Sequence, residues 1–271
     1  MTKLHAPMKT GLRCILVSLL LMLASLLYAQ APPIAEALPS PSGDLRDLEG
    51  TWVLAEPAPL RTQSDMNGKA LPFKLEGKRI LDARVKATYT DGRPYTTAGG
   101  RCMPPGQPWQ LGLGQTYPFQ IYQTQNATVF IFSEYHTVWG VRMNAQHKKA
   151  AAREYMGDSI GHWDGDTLVI DIVNYKEPLW FDIDGTPLSA DAHLTIRIRR
   201  ITPKEPQLEI VTTVDDPQYY TAPWSIKRVY AWRPDLAPFQ EYDCETEIGK
   251  FGAIGIMSQY GYRPEPKASS Q

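Results

Sequence analysis

The sequence predicts a mainly β, single-domain protein whose antiparallel strands run up and down and are numerous enough to close a barrel. Nine short segments either alternate apolar with polar residues or concentrate β-branched and aromatic ones between turn residues. The 23 prolines and 20 glycines of the 271-residue chain are scattered along it, which suits a turn-rich sheet and would break the ladders of a helical bundle. About eight strands suffice to enclose a barrel. A composition of 43% hydrophobic and 21% charged residues excludes a disordered chain.

The chain opens with three cations and no acid (Lys3, Lys9, Arg13), followed by an apolar run over 15–29 that is short for a membrane-crossing helix. This predicts a signal peptide over 1–29, cleavage after Ala29, a periplasmic or secreted protein, and no stable membrane insertion after cleavage. Removing those cations leaves 25 basic against 29 acidic residues, so the body carries −4 and argues against nucleic acid as a partner. Residues 30–45, rich in Pro, Ala and Ser, read as a flexible linker, 46–261 as the single domain, and 262–271 as a disordered tail. Cys14 leaves with the leader, and the two cysteines that remain, Cys102 and Cys244, are expected to form a disulfide in an oxidising compartment. Closing a loop of about 140 residues would stabilise the fold by about 4–5 kcal/mol on the chain-entropy estimate.

The expected strands are 50–56, 117–124, 128–135, 136–143, 160–164, 167–174, 193–201, 207–214 and 224–232. Asp164-Gly165 between two of them is a hairpin signal, since both residues tolerate positive φ. Leu81, Val85 and Tyr89 at fourfold spacing predict a helix over 76–89, and the stretch 145–154 reads as a second short helix.

If alternation is preserved through 128–143, Phe130, Phe132, Glu134, His136 and Arg142 share one face, so an apolar barrel wall would continue into three ionisable groups. Such a wall would hold the polar end of a ligand. Phe130, Phe132 and Arg142, with Trp139, Tyr220 and Trp224, are therefore the candidate ligand-binding residues. Glu134 beside His136, or Asp171 between Val169 and Val173, would give a histidine–carboxylate pair suited to general base catalysis. Asp171 better suits a structural ion pair with Arg142 or Arg197. His193, opposite in parity to its apolar neighbours, reads as solvent-facing.

Gly157-Asp158-Ser159-Ile160-Gly161 has the letters of a nucleophile elbow, but a hairpin follows where that motif needs a helix. His162 among Asp158, Asp164 and Asp166 reads as a solvated turn, because a tight hairpin does not let such ligands converge on one ion. Asp182-Ile183-Asp184-Gly185 is half of a calcium loop without its closing glutamate. No metal and no cofactor are expected.

Gly50-Thr51-Trp52, preceded by Asp47-Leu48-Glu49, resembles the Gly-x-Trp start of the first strand in lipocalins and other calycins. That resemblance implies a calycin-like barrel, in which glycine lets backbone pass close to an indole and a late arginine, Arg228, stacks on Trp52. Three further segments resemble an exported bacterial β-rich family of unknown activity. They are Arg101-Cys102-Met103-Pro104-Pro105-Gly106-Gln107-Pro108, the run from Tyr155-Met156-Gly157-Asp158-Ser159 to Thr167-Leu168-Val169-Ile170-Asp171, and Thr213-Val214-Asp215-Asp216-Pro217. His193-Leu194-Thr195-Ile196-Arg197 is similar too, with Ile196 where that family usually has Glu, and Glu245-Thr246-Glu247-Ile248 stands where it tends to have His-Glu-Gly-Asn. The resemblance implies architecture and export.

The function expected from these residues is binding of a small, partly apolar molecule in a barrel cavity. The alternatives are a cofactor-independent lyase, isomerase or hydrolase using the histidine–carboxylate pair, and an envelope protein that binds others through its sheet edge. The sequence leaves the oligomeric state open.

Overall fold

The computed structural model describes residues 41–91, 103–112, 117–149, 152–202 and 206–236. The expected disulfide, Cys102 with Cys244, lies outside the described residues, as do the leader and the tail.

Nine strands close one barrel, in the order β1 (Gly50–Leu54), β11 (Trp224–Trp232), β10 (Gln207–Asp215), β9 (His193–Thr202), β6 (Thr167–Val173), β5 (Asp158–Asp164), β4 (Val138–Met143), β3 (Ala127–Phe132), β2 (Phe119–Gln123). The fold is the mainly β, calycin-like barrel that the sequence predicts, and each barrel strand overlaps an expected segment. A hairpin of β7 (Leu179–Trp180) and β8 (Pro187–Leu188) stands apart from it. No helix among the described residues is long and apolar enough to cross a membrane.

One pairing departs from the up-and-down pattern. β4 and β5 run parallel and pair only over Arg142↔Ile160 and Met143↔Gly161, a pairing that requires a crossover connection between them. Every other barrel pair is antiparallel, β9 with β10 over nine residues of β10. The β5–β6 hairpin turns at Gly165-Asp166, one residue later than the dipeptide expected, with Gly165 at φ +59.

Helix α1 (Leu75–Tyr89) is the helix expected at 76–89. The described part of 145–154 is not helical, and Glu154 instead bridges to Tyr175. A helix that was not expected, α2 (Gln107–Gly112), is buried throughout its length. Tyr230 Oη donates to the Leu111 carbonyl at 3.1 Å and Arg228 Nε to the Gly112 carbonyl at 3.1 Å, so α2 rests on β11. Tyr175 Oη donates to Gln107 Oε1 at 3.0 Å, and Gln107 Nε2 donates to the Met156 carbonyl at 2.6 Å.

The barrel interior is a packed core. Ile121, Phe130, Val141, Ile170, Ile196 and Val214 point inward and have no accessible surface. Phe119 packs edge-on against Tyr230 with centroids 5.0 Å apart, and Phe130 stacks on Trp139 at 4.4 Å. Gly50, at φ +136, makes room chiefly for Trp232, whose Nε1 would lie 2.8 Å from an added Cβ, while Trp52 turns its Nε1 to the Leu48 carbonyl at 2.9 Å. Arg228 serves α2 rather than stacking on Trp52. Buried Arg200 binds the chain before β1 instead, its Nη1 donating to the carbonyls of Ser42, Asp44 and Asp47 at 2.7, 2.8 and 3.1 Å.

Candidate functional site

The alternation expected through 128–143 breaks at its middle. Tyr135 and His136 take positive φ, 57° and 44°, in a 3-10 turn over Glu134–His136. This reverses parity, so Phe130 and Phe132 point inward together with Trp139, Val141 and Met143, and Arg142 points out. The five residues expected on one face therefore separate. Phe130, Phe132 and Trp139 are core residues that pack on one another, correcting their reading as contacts for a lumenal ligand. Tyr220 and Trp224 are buried as well, Tyr220 Oη donating to the Pro187 carbonyl at 2.8 Å and Trp224 packing on Phe181 at 4.8 Å.

The expected catalytic trio is not assembled. Glu134 is buried and receives Trp109 Nε1 at 3.4 Å, while His136 is exposed. Asp171 lies outside the barrel wall with both oxygens taken by histidines other than His136. Its Oδ1 meets His147 Nε2 at 2.7 Å and its Oδ2 meets His193 Nε2 at 2.7 Å. Ser159, the centre of the elbow-like letters, is buried and accepts a hydrogen bond from Trp139 Nε1 at 2.8 Å. No group of three or more metal-ligating side chains converges among the described residues.

Two clefts open in the described surface: one of about 690 Å³ beside α1, lined by Leu71, Phe73 and Leu81 among others, and one where β4 and β5 part. Beyond their two paired residues the strands splay, leaving a cleft of about 480 Å³ in the outer wall. Val138, Trp139 and Gly140 of β4 form one side, Arg153–Gly157 the other, with Met103, Pro104 and Lys176 at the rim. Val138 is 60% exposed and Met103 38% exposed, large values for apolar residues, while Trp139 seals the cleft from the lumen with only 1% exposure. The Lys176 ammonium lies over the Tyr155 ring, 5.1 Å from its centroid, a cation–π contact that presents aromatic and charge together. Arg153 is held by Asp191 and by the Tyr175 and Ala190 carbonyls.

Backbone shape fixes this wall. Gly157 sits at φ +62, where an added Cβ would lie 2.8 Å from the Val173 carbonyl oxygen. The left-handed turn brings residues 154–157 against the end of β6, and Glu154 accepts the backbone N–H of Lys176 at 2.9 Å.

Directly below the cleft, a chain of charged groups binds the seam from outside. Arg142 of β4 donates Nη2 to Asp158 Oδ1 of β5 at 2.8 Å. The other oxygen of Asp158 accepts the Lys148 N–H at 2.8 Å and faces His147 Nδ1 at 3.0 Å. His147, carried by the crossover, thus joins Asp158 to Asp171, and Asp171 joins it to His193 of β9. Burial opposes ionisation of Asp158, but the bonds from Lys148, His147 and Arg142 outweigh it and hold its carboxyl below the ordinary range. Burial likewise opposes ionisation of Asp171, and the bonds from His147 and His193 overcome it, again lowering the pKa.

Sequence reasoning missed His147, which it placed in a helix, and the role of His193, whose outward direction it read correctly. No family model matches the chain, and no curated protein matches it.

Proposed function

We propose that this chain is an exported protein that binds a small, partly apolar molecule in the cleft where β4 and β5 part. The observation that carries the reading is that cleft itself. About 480 Å³ falls within the roughly 300–1,000 Å³ of small-molecule sites. Its lining combines exposed apolar groups, an aromatic ring and an exposed ammonium, the mixture that lets apolar burial drive binding while a few polar groups set orientation. The packed lumen moves the site from the inside of the barrel to its wall. Turnover by a histidine–carboxylate pair would have to use His147 or His193 with Asp171, or His147 with Asp158, and none of these residues lines the cleft.

Gly140 provides a clean test, because nothing lies within 4 Å of an added Cβ there. Gly140→Trp would fill the cleft from β4. The neutral fluorescent probe N-phenyl-1-naphthylamine should bind the purified protein and lose affinity by about tenfold or more, roughly 1.4 kcal/mol per factor of ten, in Gly140→Trp. Equal affinity in both proteins, with the variant as stable as the parent, would place binding elsewhere.

A further inference from the structure

We infer that the Arg142–Asp158–His147–Asp171 chain is a charge-operated clasp that controls how readily the β4–β5 seam parts, and so how fast a ligand reaches the cleft. The inference rests on the cleft being the binding site, and adds its regulation.

The seam is held by little else. Antiparallel neighbours in this barrel share registers of up to nine residue pairs, whereas β4 and β5 share two. On the inside, the bond from Trp139 Nε1 to Ser159 Oγ crosses the gap. On the outside, the Arg142–Asp158 ion pair crosses it immediately beyond Gly140 and Gly157, which line the cleft. His147 then ties the crossover to β5 and β6 at once. Local opening draws on regions with few backbone bonds, and here side-chain charges replace the missing ladder.

Each join needs a particular charge. Arg142 supplies the cation on the β4 side and Lys148 a backbone N–H, Asp158 and Asp171 supply anions from β5 and β6, and His193 with Asp215 opposite it completes the set on β9 and β10. Protonating either aspartate turns an acceptor into a donor that faces other donors. The lowered pKa values of Asp158 and Asp171 keep both carboxylates charged through mildly acidic conditions, and the joins they accept loosen as pH falls through those values. The asparagine variant reproduces that protonated state at neutral pH by removing the charge and placing an NH₂ where an oxygen accepted.

The test uses Asp171→Asn, Asp158→Asn and a control, Arg197→Gln, which breaks an exposed ion pair with Asp164 on the same sheet away from the seam. Two readouts are taken at neutral pH: hydrogen exchange by mass spectrometry, and stopped-flow association of N-phenyl-1-naphthylamine. Both asparagine variants should speed exchange over 138–143 and 156–161 and raise the association rate about tenfold, since charge-assisted hydrogen bonds are the strong ones. Exchange in β9 and β10 away from the His193–Asp215 end should stay as in the parent, and Arg197→Gln should leave the seam unchanged. Faster exchange spread evenly over the barrel, or an unaltered seam, would overturn the clasp. If the probe binds none of the proteins while the seam exchanges faster, the binding proposal fails and the clasp stands.

Discussion

Two glycines with nearly the same backbone conformation and opposite surroundings make a quantitative test of the cleft wall. Gly157 and Gly165 sit at φ +62 and φ +59. Alanine in the left-handed region costs about 1–2 kcal/mol at either position, because Cβ crowds the following carbonyl. At Gly165 nothing lies within 4 Å of the new methyl, so that cost is the whole effect. At Gly157 the methyl would lie 2.8 Å from both Ile172 Cγ2 and the Val173 carbonyl oxygen, and 3.1 Å from Cε1 of the fully buried Tyr175. A backbone oxygen cannot rotate away, so the strands must shift, and overpacking of this kind costs about a further 1–3 kcal/mol. Urea denaturation should therefore show Gly165→Ala less stable than the parent by about 1–2 kcal/mol and Gly157→Ala by about 2–5 kcal/mol, with similar m-values. The displaced wall should also weaken binding of N-phenyl-1-naphthylamine in Gly157→Ala alone. Equal losses of stability at the two positions would mean that residue 157 is not packed on β6, and the cleft would lose its described shape.

Further outcomes follow from single interactions. Because Asp158 has a lowered pKa in the folded state, its stabilisation is complete above about pH 4, the ordinary carboxylate range, and disappears as pH falls through the lowered value. The stability gap between the parent and Asp158→Asn, measured by denaturation at successive pH values, should shrink on acidification; a gap that widens would reverse the sign of the argument. Arg200→Met leaves the Ser42, Asp44 and Asp47 carbonyls without their donor, so it should lower stability by about 1–3 kcal/mol and speed exchange over 42–49. Tyr175→Phe strands Gln107 Oε1 in the interior and should cost about 1–3 kcal/mol in the same denaturation assay.

The strands were legible because alternation survives into burial. In β10 the even residues Leu208, Ile210, Thr212 and Val214 all point inward, three of them apolar, while four of the five odd residues are polar. Helix α2 was not, since Pro104-Pro105-Gly106 and Pro108 look like a broken loop. Pro108 is tolerated because it occupies the first turn, where its missing N–H has no intrahelical partner to lose. The expected polar wall failed at Tyr135 and His136, two side-chain-bearing residues in the left-handed region, which local pattern does not announce. Residues 41–45, whose composition suits a loose linker, include two of the three carbonyls held by Arg200 from β9. The clasp was invisible for a related reason. Its residues are ordinary surface charges in sequence, and His147 meets Asp171 across 24 positions only because the parallel crossover returns to the start of β5. Long-range pairing of this kind is set by topology, which periodicity does not encode.

The most direct test of the cleft is to map amide chemical-shift changes by NMR while N-phenyl-1-naphthylamine is titrated into isotopically labelled protein. Binding in the cleft requires the largest changes at Val138, Gly140, Glu154–Gly157 and Lys176, with the inward residues of β9 and β10 unmoved. Changes concentrated instead on Ile196, Ile198, Leu208 and Ile210 would put the guest inside the barrel and contradict it.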